Sequence, residues 1–421
     1  MKGTELVLQA LRDRGVQYIF GYTGGAIMPV YDALVDSRLD HILVRHEQAA
    51  THMADAYARV TGKAAVVLSQ TGDWTLGLLT NNVWSFAGDS DREPVNKGIL
   101  QYFIVRQLGE AGHRVVTLDN LSTGFRDAVL YGDLVEGDTG DEALVMDTLD
   151  RYAVDTVMHF AAHTIVPESV ADPLKYYGNN TASSRTLLER AHAHGVRHVV
   201  FSSTAAVYGI PSDGKASEAS PTRPINPYGS SKLMTEWMLR DLAKAGGPSY
   251  VALRYFNVAG CEPTGTIGQS TPKATLLVKV ACEAATGRRP GVAIYGTDYP
   301  TPDGTGLRDY IHVEDLATAH LDALTYLRDG GESTVLNCGY GHGYSVREVL
   351  AAVERANGKP LNISEEPRRA GDPPELIAVA ERIRDVLGWT PRFDDLDTIV
   401  RTSLEWERKI AAGDPSAYWA A

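Results

Sequence analysis

The sequence FSSTAAVYG at residues 201–209, followed by YGSSK at residues 228–232, decides the fold class of this chain. The first stretch closes an apolar run that predicts a buried parallel strand. Tyr228 and Lys232 are four residues apart, so on a helix they share one face, and we expect the ammonium group to lower the pKa of the phenol. A phenol tuned in this way can act as a general acid and base, while Thr204 hydrogen-bonds the oxygen whose proton moves. The two motifs therefore predict a catalytic site on an α/β sheet.

Strand and helix patterns alternate on both sides of these motifs, which favours an α/β fold with a parallel sheet. Short β-rich runs predict the strands, and longer periodic stretches predict the helices between them. Gly195 follows one periodic stretch, as a helix-ending glycine does. The predicted strands are Tyr18–Phe20, Ala65–Leu68, Val115–Leu118, Thr156–Phe160, His198–Ser202, Val251–Phe256 and Val292–Tyr295, and the predicted helices are Thr51–Thr61, Leu174–Gly195 and Ser231–Lys244.

Two strand ends carry features of a dinucleotide site. Asp119 ends the strand at Val115–Leu118, where a carboxylate can accept hydrogen bonds from the adenine-ribose hydroxyls and select NAD over NADP. An aspartate before a turn is also ordinary turn chemistry, so this signal is weak by itself. The strand at Thr156–Phe160 runs into Ala161 and Ala162, whose small side chains let a ribose or diphosphate approach the backbone.

Composition excludes several other classes of protein. The chain has 421 residues, with 40 Lys and Arg against 53 Asp and Glu, so the formal net charge of −13 argues against a general nucleic-acid binder. No apolar run approaches the roughly 20 residues that span a bilayer, so we expect no membrane association. The 3 cysteines are widely spaced without a CxxC pair, which argues against a disulfide scaffold or a metal site and favours the reducing cytoplasm. The length predicts two to three domains.

From about Gly98 to its end, the chain resembles the UDP-glucose 4-epimerase family of extended short-chain dehydrogenases/reductases. The resemblance rests on motifs that occur in the family's order, among them VRQLGEAGHRVVTLDNLSTG, VMHFAAHTIVPESV, NPYGSSKLMTE, LRYFNVAG, IYGTDYPTPDGTGLRDYIHVEDLA and PRRAGD. It implies a Rossmann-like doubly wound parallel sheet with a smaller C-terminal α/β substrate domain. It also implies an NAD-dependent isomerase of nucleotide-sugar and galactose metabolism, which interconverts UDP-galactose and UDP-glucose through a 4-keto intermediate. The family is commonly dimeric, so a homodimer is a candidate assembly.

The same resemblance assigns roles to individual residues. Tyr228 would remove the proton from the sugar 4-hydroxyl, with Lys232 and Thr204 beside it. The residues implied around NAD are Asp119, Asn120, Ser122, Thr123, Gly124, Asp138, Phe160, Ala161, Ala162, Asn179, Tyr228, Lys232 and Phe256. The residues implied around the UDP-sugar are Thr204, Asn257, Tyr295, Arg308, Arg369 and Asp372, of which the two arginines offer planar donors to a diphosphate.

The chain departs from this family at the start of the matching region. The family has a strand and a G-x-x-G-x-x-G loop whose glycines let the backbone reach the diphosphate. Only Gly98 falls on a glycine position here, and Gln101 and Tyr102 would put side chains where the loop needs bare backbone. We therefore expect strongly weakened NAD binding. The alternative function is a catalytically impaired fusion protein that at most binds UDP-sugar.

Residues 3–72 resemble the start of acetolactate synthase and related thiamine-diphosphate enzymes. The resemblance rests on GVQYIFGYTGGAIMPVYDAL and HILVRHEQAATHMADAYARVTGK, in which Glu47 would contact the aminopyrimidine ring of the cofactor. The family's diphosphate domain, with its Gly-Asp-Gly…Asn motif, is absent from the sequence, so a thiamine-dependent carboligase is poorly supported. The predicted division is a thiamine-enzyme-like segment at 1–72, a junction at 73–97, an NAD-binding domain at 98–260, and a mainly UDP-sugar-binding domain at 261–421 that returns in part to the sheet.

Overall fold

The computed structural model describes residues 100–413, apart from 123, 125, 271–273, 370 and 371, together with four strands and a few single positions among the first 99 residues. The chain divides into an N-terminal unit, Met1–Arg92, and a C-terminal unit, Glu93–Ala421. Glu47 and all of the predicted helix Thr51–Thr61 except Met53, which is helical, lie outside the described residues. Within the described parts of both units, no helix has the length and apolar character needed to cross a membrane.

The N-terminal unit contains a four-stranded sheet. Its strands are β1 (Tyr18–Gly21), β2 (Asp40–Leu43), β3 (Ala65–Leu68) and β4 (Gly77–Leu79), in the order β2-β1-β3-β4. β1 pairs in parallel with β2 and β3, and β4 runs antiparallel to β3. The sequence prediction of strands at β1 and β3 is confirmed.

The C-terminal unit is an α/β structure built on parallel strands. Its central sheet has the order β15-β10-β8-β7, and β5 and β6 form a separate parallel pair. Strands β8 and β10 are buried along nearly their whole length, as expected of parallel strands covered on both faces. The strands are β5 (Val116–Asp119), β6 (Asp133–Glu136), β7 (Thr156–His159), β8 (His198–Thr204), β9 (Lys215–Ala216), β10 (Ser249–Tyr255), β11 (Asn257–Ala259), β12 (Val292–Tyr295), β13 (Leu307–Arg308), β14 (Tyr310–His312), β15 (Thr334–Cys338), β16 (Tyr344–Ser345), β17 (Ile363–Glu366) and β18 (Glu375–Ala378).

Helices pack on this sheet, and Pro227–Lys244 and Val313–Arg328 both contact β8 and β10. A π-helical segment, Tyr177–Ala182, lies between the helices Pro173–Tyr176 and Ser183–His194, and it interrupts the continuous helix predicted over Leu174–Gly195. The helices are α1 (Leu100–Glu110), α2 (Glu142–Tyr152), α3 (Val166–Ala171), α4 (Pro173–Tyr176), α5 (Ser183–His194), α6 (Pro227–Lys244), α7 (Leu277–Ala285), α8 (Val313–Arg328), α9 (Val346–Asn357), α10 (Glu381–Leu387) and α11 (Leu396–Ala411).

Helix α6 begins four residues before the predicted start at Ser231. Asn226 caps it by accepting a hydrogen bond from the Gly229 amide at 2.8 Å, and Pro227 occupies the first turn, where its missing N–H costs nothing. Tyr228 therefore lies in the first turn of α6, and Lys232 lies one turn further on.

The C-terminal part adds small sheets beside the carboxyl ends of the central strands. β11 pairs with β14, β12 pairs with β17, and a mixed sheet has the order β16-β13-β18-β9. One large apolar core continues from the central sheet into this part, and it includes Leu253 of β10, Ile294 of β12 and Val349 of α9. The C-terminal part therefore shares its core with the central sheet.

Candidate functional site

A cavity of about 1150 Å³ runs along β5 and β7 and reaches the carboxyl ends of β8 and β10. It exceeds the range of about 300–1,000 Å³ that is typical of a site for one small ligand. Its lining includes Asp119 at the end of β5, Phe160 after β7, Thr204 at the end of β8 and Arg308 of β13. Carboxyl ends of strands in open α/β sheets are the usual place for a ligand, so this cavity is the candidate active site.

Thr204, Tyr228 and Lys232 lie together in the cavity wall. The Thr204 side chain is hydrogen-bonded to Tyr228, and its Oγ1 also accepts a hydrogen bond from the Ala206 amide at 3.1 Å. Lys232 is buried; its Nζ donates a hydrogen bond to the Ser202 carbonyl oxygen at 2.8 Å and lies 4.9 Å from the Phe201 ring centre. The three side chains thus converge from β8 and from two turns of α6.

The prediction from the sequence that the pKa of Tyr228 is lowered is wrong. Burial raises the pKa of Tyr228, and the hydrogen bond with Thr204 only partly opposes this rise. The reason is that removing a phenol from water disfavours the charged phenolate. Spacing along a helix showed that the two side chains share a face, but it carried no information about how much water surrounds the hydroxyl group.

The position of α6 depends on close contact with the end of β8. A Cβ atom added at Gly229 would stand 2.6 Å from the Ala206 carbonyl oxygen, so only glycine allows the helix to come this near. On the other side, Asn180 of the π-helical segment donates to the Ser231 hydroxyl at 3.0 Å and accepts from the His163 amide at 2.7 Å. These contacts fix the first turn of α6 and with it the Tyr228 backbone.

Two buried contacts behind the site were not predicted. The Ser202 hydroxyl is hydrogen-bonded to the hydroxyl of Tyr255, which also lines the cavity. Glu236 of α6 accepts two hydrogen bonds from Arg254 of β10, at 2.9 and 2.5 Å, and one from Ser203 at 2.5 Å. These partners are 18 to 53 positions apart in the chain, so no local sequence signal could have paired them.

Most of the residues that the sequence assigned to a cofactor line this one cavity. Ala161 and Ala162, which follow β7, contribute small side chains to the wall, and Asn179 of the π-helical segment contributes an amide side chain. The lining residues from that prediction are Asp119, Asn120, Ser122, Gly124, Asp138, Phe160, Ala161, Ala162, Asn179, Tyr228, Lys232 and Phe256. Thr123 lies outside the described residues.

The two ends of this lining differ in how well they fit a dinucleotide. Around Tyr228 and Lys232 the wall offers hydrogen-bonding groups next to the small residues Ala161 and Ala162, which fits the nicotinamide ribose. At the far end, the Asn120 side chain is bonded to Asp138 at 3.0 Å, and Asp119 accepts hydrogen bonds from the side chains of Gln101 and Tyr102. The residues therefore fit the nicotinamide half of the cofactor, while the acceptor for the adenosine ribose is engaged by the chain itself.

The predicted substrate residues fall into two groups. Thr204, Asn257, Arg308 and Asp372 line the cavity. Burial lowers the pKa of Arg308, and the charge of Asp372 acts against this. Tyr295 and Arg369 do not line the cavity; Arg369 lies 4.7 Å above the Tyr295 ring centre and forms an ion pair with Asp372 at 3.0 Å. Asp372 thus connects the cavity to this exposed pair.

Two family models match different parts of the chain. The NAD dependent epimerase/dehydratase family matches residues 97–339, and the N-terminal TPP binding domain of thiamine pyrophosphate enzymes matches residues 1–81. The chain is 55% identical over 314 residues to a UDP-glucose 4-epimerase of Azospirillum brasilense, which covers 74% of this chain and 90% of the relative.

Solved structures agree with this similarity. The UDP-glucose 4-epimerase from Brucella ovis in complex with NAD has a TM-score of 0.72 and 43% identity, covering 74% of this chain and 96% of that one. The enzyme from Bifidobacterium longum in complex with NAD+ and UDP has a TM-score of 0.70 and 36% identity, covering 76% of this chain and 97% of that one. The aligned portion therefore corresponds to almost the whole of each relative.

Proposed function

The chain belongs to the NAD dependent epimerase/dehydratase family, and from this premise we propose that it interconverts UDP-galactose and UDP-glucose through a 4-keto intermediate with bound NAD. The observation that carries the proposal is the convergence of Thr204, Tyr228 and Lys232 in one cavity with Arg308. The relatives described above are UDP-glucose 4-epimerases, which supports the choice of substrate.

In this proposal Tyr228 is the proton acceptor. In its phenolate form, the Tyr228 oxygen takes the proton of the sugar 4-hydroxyl and becomes the neutral phenol, while Thr204 hydrogen-bonds the same sugar oxygen. Lys232 holds a positive charge in the wall of the site, which stabilises the phenolate that is present before proton transfer. When bound, NAD would supply the hydride acceptor and donor for C4 of the sugar. Tyr228 and Lys232 would hold its nicotinamide ribose.

The UDP group is assigned to the C-terminal side of the cavity. Arg308 lines the cavity, and Arg369, which stacks on Tyr295, is joined to the cavity wall by its ion pair with Asp372. Two planar, permanently charged donor groups suit the oxygens of a diphosphate. We accordingly assign residues 98–260 mainly to the cofactor and residues 261–421 mainly to the UDP-sugar.

We also propose a homodimer. Val170 of α3, Leu174 of α4 and Trp237 of α6 are exposed apolar side chains, at 62%, 78% and 46% of their full accessibility, on helices that pack side by side. Large apolar side chains that stay exposed on adjacent helices are typical of association surfaces.

The direct test is conversion of UDP-galactose to UDP-glucose, with and without added NAD. Tyr228→Phe should lower the turnover rate about 10²- to 10⁴-fold, the range of general acid–base catalysis. Tyr326→Phe is the matched control, because among the described residues the Tyr326 hydroxyl bonds just the Glu332 carbonyl oxygen, at 3.1 Å, and Tyr326 does not line the cavity. Equal rates for Tyr228→Phe and the wild type would refute the assignment.

A second candidate function follows from the engaged state of Asp119. If the dinucleotide cannot bind at any concentration, the chain binds UDP-sugar through Arg308 without turning it over. Calorimetry with UDP and the conversion assay at saturating NAD together separate the two functions: UDP binding without conversion favours the second, and conversion favours the first.

A further inference from the structure

Both oxygen atoms of the Asp119 carboxylate accept hydrogen bonds from the chain itself. Its Oδ1 atom accepts a hydrogen bond from the Leu121 amide at 2.9 Å. Its Oδ2 atom accepts one from the Gln101 side-chain amide and lies 3.5 Å from the Tyr102 hydroxyl. Both donor side chains belong to the first turn of α1, so one short segment supplies the side-chain contacts to Oδ2.

The space beside Asp119 is also filled. A Cβ atom added at Gly124 would collide with the Tyr102 hydroxyl and stand 2.7 Å from Asp119 Oδ2, so the turn after β5 is packed against this pair. Tyr102 is only 1% exposed, which fixes its ring in the core. Gln101 instead lines the cavity, directly next to Asp119. The amide group of Gln101 thus stands at the point where a ligand would approach the carboxylate.

A carboxylate at the end of the second strand of a dinucleotide fold normally accepts hydrogen bonds from the ribose hydroxyls. Here the Gln101 amide already occupies one acceptor position of Oδ2 and stands beside it in the cavity wall, so a ligand competes with this amide for the carboxylate and gains less than it would from an unoccupied acceptor. We propose that Gln101, supported by Tyr102, is the residue that sets the dinucleotide affinity of this chain, by acting as a built-in competitor for Asp119. This inference rests on the proposed function, since it assumes a dinucleotide site.

The proposal predicts that Gln101 weakens binding of the adenosine half of NAD and leaves binding of the nicotinamide half unchanged. Gln101 is close to Asp119 and stands apart from the catalytic trio, because Lys232 and Tyr228 lie on α6 at the opposite end of the lining. Gln101→Ala keeps a strong helix former in the first turn of α1 and removes only the amide group. We expect it to bind ADP-ribose and NAD about tenfold more tightly, which corresponds to about 1.4 kcal/mol, and to bind nicotinamide mononucleotide with unchanged affinity.

The test is isothermal titration calorimetry of the full chain with these three compounds. Gln107→Ala is the matched control: it removes an amide from the same helix, one that donates to Glu314 at 2.8 Å and does not line the cavity, and it should leave all three affinities unchanged. Tyr102→Phe is the second variant, which keeps the buried ring and should tighten ADP-ribose binding about twofold, because the 3.5 Å contact is long for a hydrogen bond.

Three results would overturn the proposal. One is an unchanged or weaker affinity of Gln101→Ala for ADP-ribose, and another is an equal gain for nicotinamide mononucleotide, which would indicate a general structural effect. The third is wild-type protein that purifies with one tightly bound NAD per chain. Failure of the proposed function looks different, because ADP-ribose binding would then respond to Gln101→Ala while no variant converts UDP-galactose at saturating NAD.

Discussion

Three buried histidines make the stability of the C-terminal unit depend on pH near neutrality. His159, His312 and His320 are each at most 3% exposed. Burial lowers the pKa of His159 to about 3, with the charge of Lys232 acting in the same direction. Burial also lowers the pKa of His312 to about 3 and that of His320 to about 4. All three are therefore neutral in the folded protein at pH 6 and above.

The sign of the effect follows from proton uptake on unfolding. An unfolded histidine has a pKa of about 6.5, so below that pH the unfolded chain binds protons that the folded chain excludes. Well above pH 6.5 the three histidines do not change the free energy of unfolding, and each lowers it as the pH falls through 6.5 towards the pKa values of the folded protein. Between pH 7.5 and pH 6.0 each histidine lowers the free energy of unfolding by about 0.8 kcal/mol, and the three together by about 2 kcal/mol.

His320→Gln isolates one of the three contributions. The His320 Nδ1 atom lies 2.8 Å from the Leu316 carbonyl oxygen, and Nε2 has no partner among the described residues. The substitution removes the titrating ring together with its ring contacts to Phe160 and Tyr255, at 5.2 and 6.2 Å between ring centres, and the loss of these contacts is the same at both pH values. The assay is urea unfolding at pH 7.5 and pH 6.0, followed by tryptophan fluorescence. The loss of stability between the two pH values should be about 0.8 kcal/mol smaller in the variant than in the wild type.

The comparison is insensitive to other buried groups. Burial raises the pKa of Asp309 and of Glu314, so these carboxyl groups act in the opposite direction as the pH falls, but they are common to both proteins. The same pH-dependent loss in wild type and variant would refute the reasoning, because it would mean that His320 takes up its proton equally in the folded and unfolded chains.

Two further predictions concern buried charge and assembly. Glu236→Gln should lower the free energy of unfolding by about 3–5 kcal/mol in urea titrations, because it leaves the Arg254 charge buried without a counterion. The control is Arg355→Ala, which breaks an exposed ion pair with Asp397 and should change the free energy of unfolding by about 0.5 kcal/mol or less. Equal effects of the two substitutions would contradict the argument. Leu174→Glu should convert a dimer to a monomer in light-scattering measurements, since it places a charge in the exposed apolar surface, and a wild-type chain that is monomeric at all concentrations would contradict the proposed homodimer.

The sequence could locate the site because its chemistry is concentrated at strand ends and on one helix face. The pattern around Thr204, Tyr228 and Lys232 needed only the alternation of strand and helix to place the three side chains together. It could not predict the direction of the Tyr228 pKa shift, which depends on burial in three dimensions. Nor could it predict the pair Glu236 and Arg254, because that pair forms only when α6 packs on β10.

The separation of β5 and β6 from the central sheet connects the fold to the cofactor site. Residues 115–120 and 154–162 line the same cavity continuously, although alternate residues of a strand point to opposite faces of a sheet. Because every residue in these two runs lines the cavity, the backbone edges of β5 and β7 must border it. Among the described residues, no strand lies between β5 and β7 and pairs with both.

In a doubly wound sheet the position between these two strands belongs to the first strand, which leads into the glycine loop. The chain lacks that loop and places α1, beginning at Leu100, beside the open position, so Gln101 comes to stand against Asp119. The separation of β5 and β6 from the central sheet and the hydrogen bond between Gln101 and Asp119 therefore have one cause, the sequence that precedes α1. It follows that replacing this segment by a strand and a G-x-x-G-x-x-G loop should both close the sheet and free Asp119, whereas Gln101→Ala should free Asp119 alone.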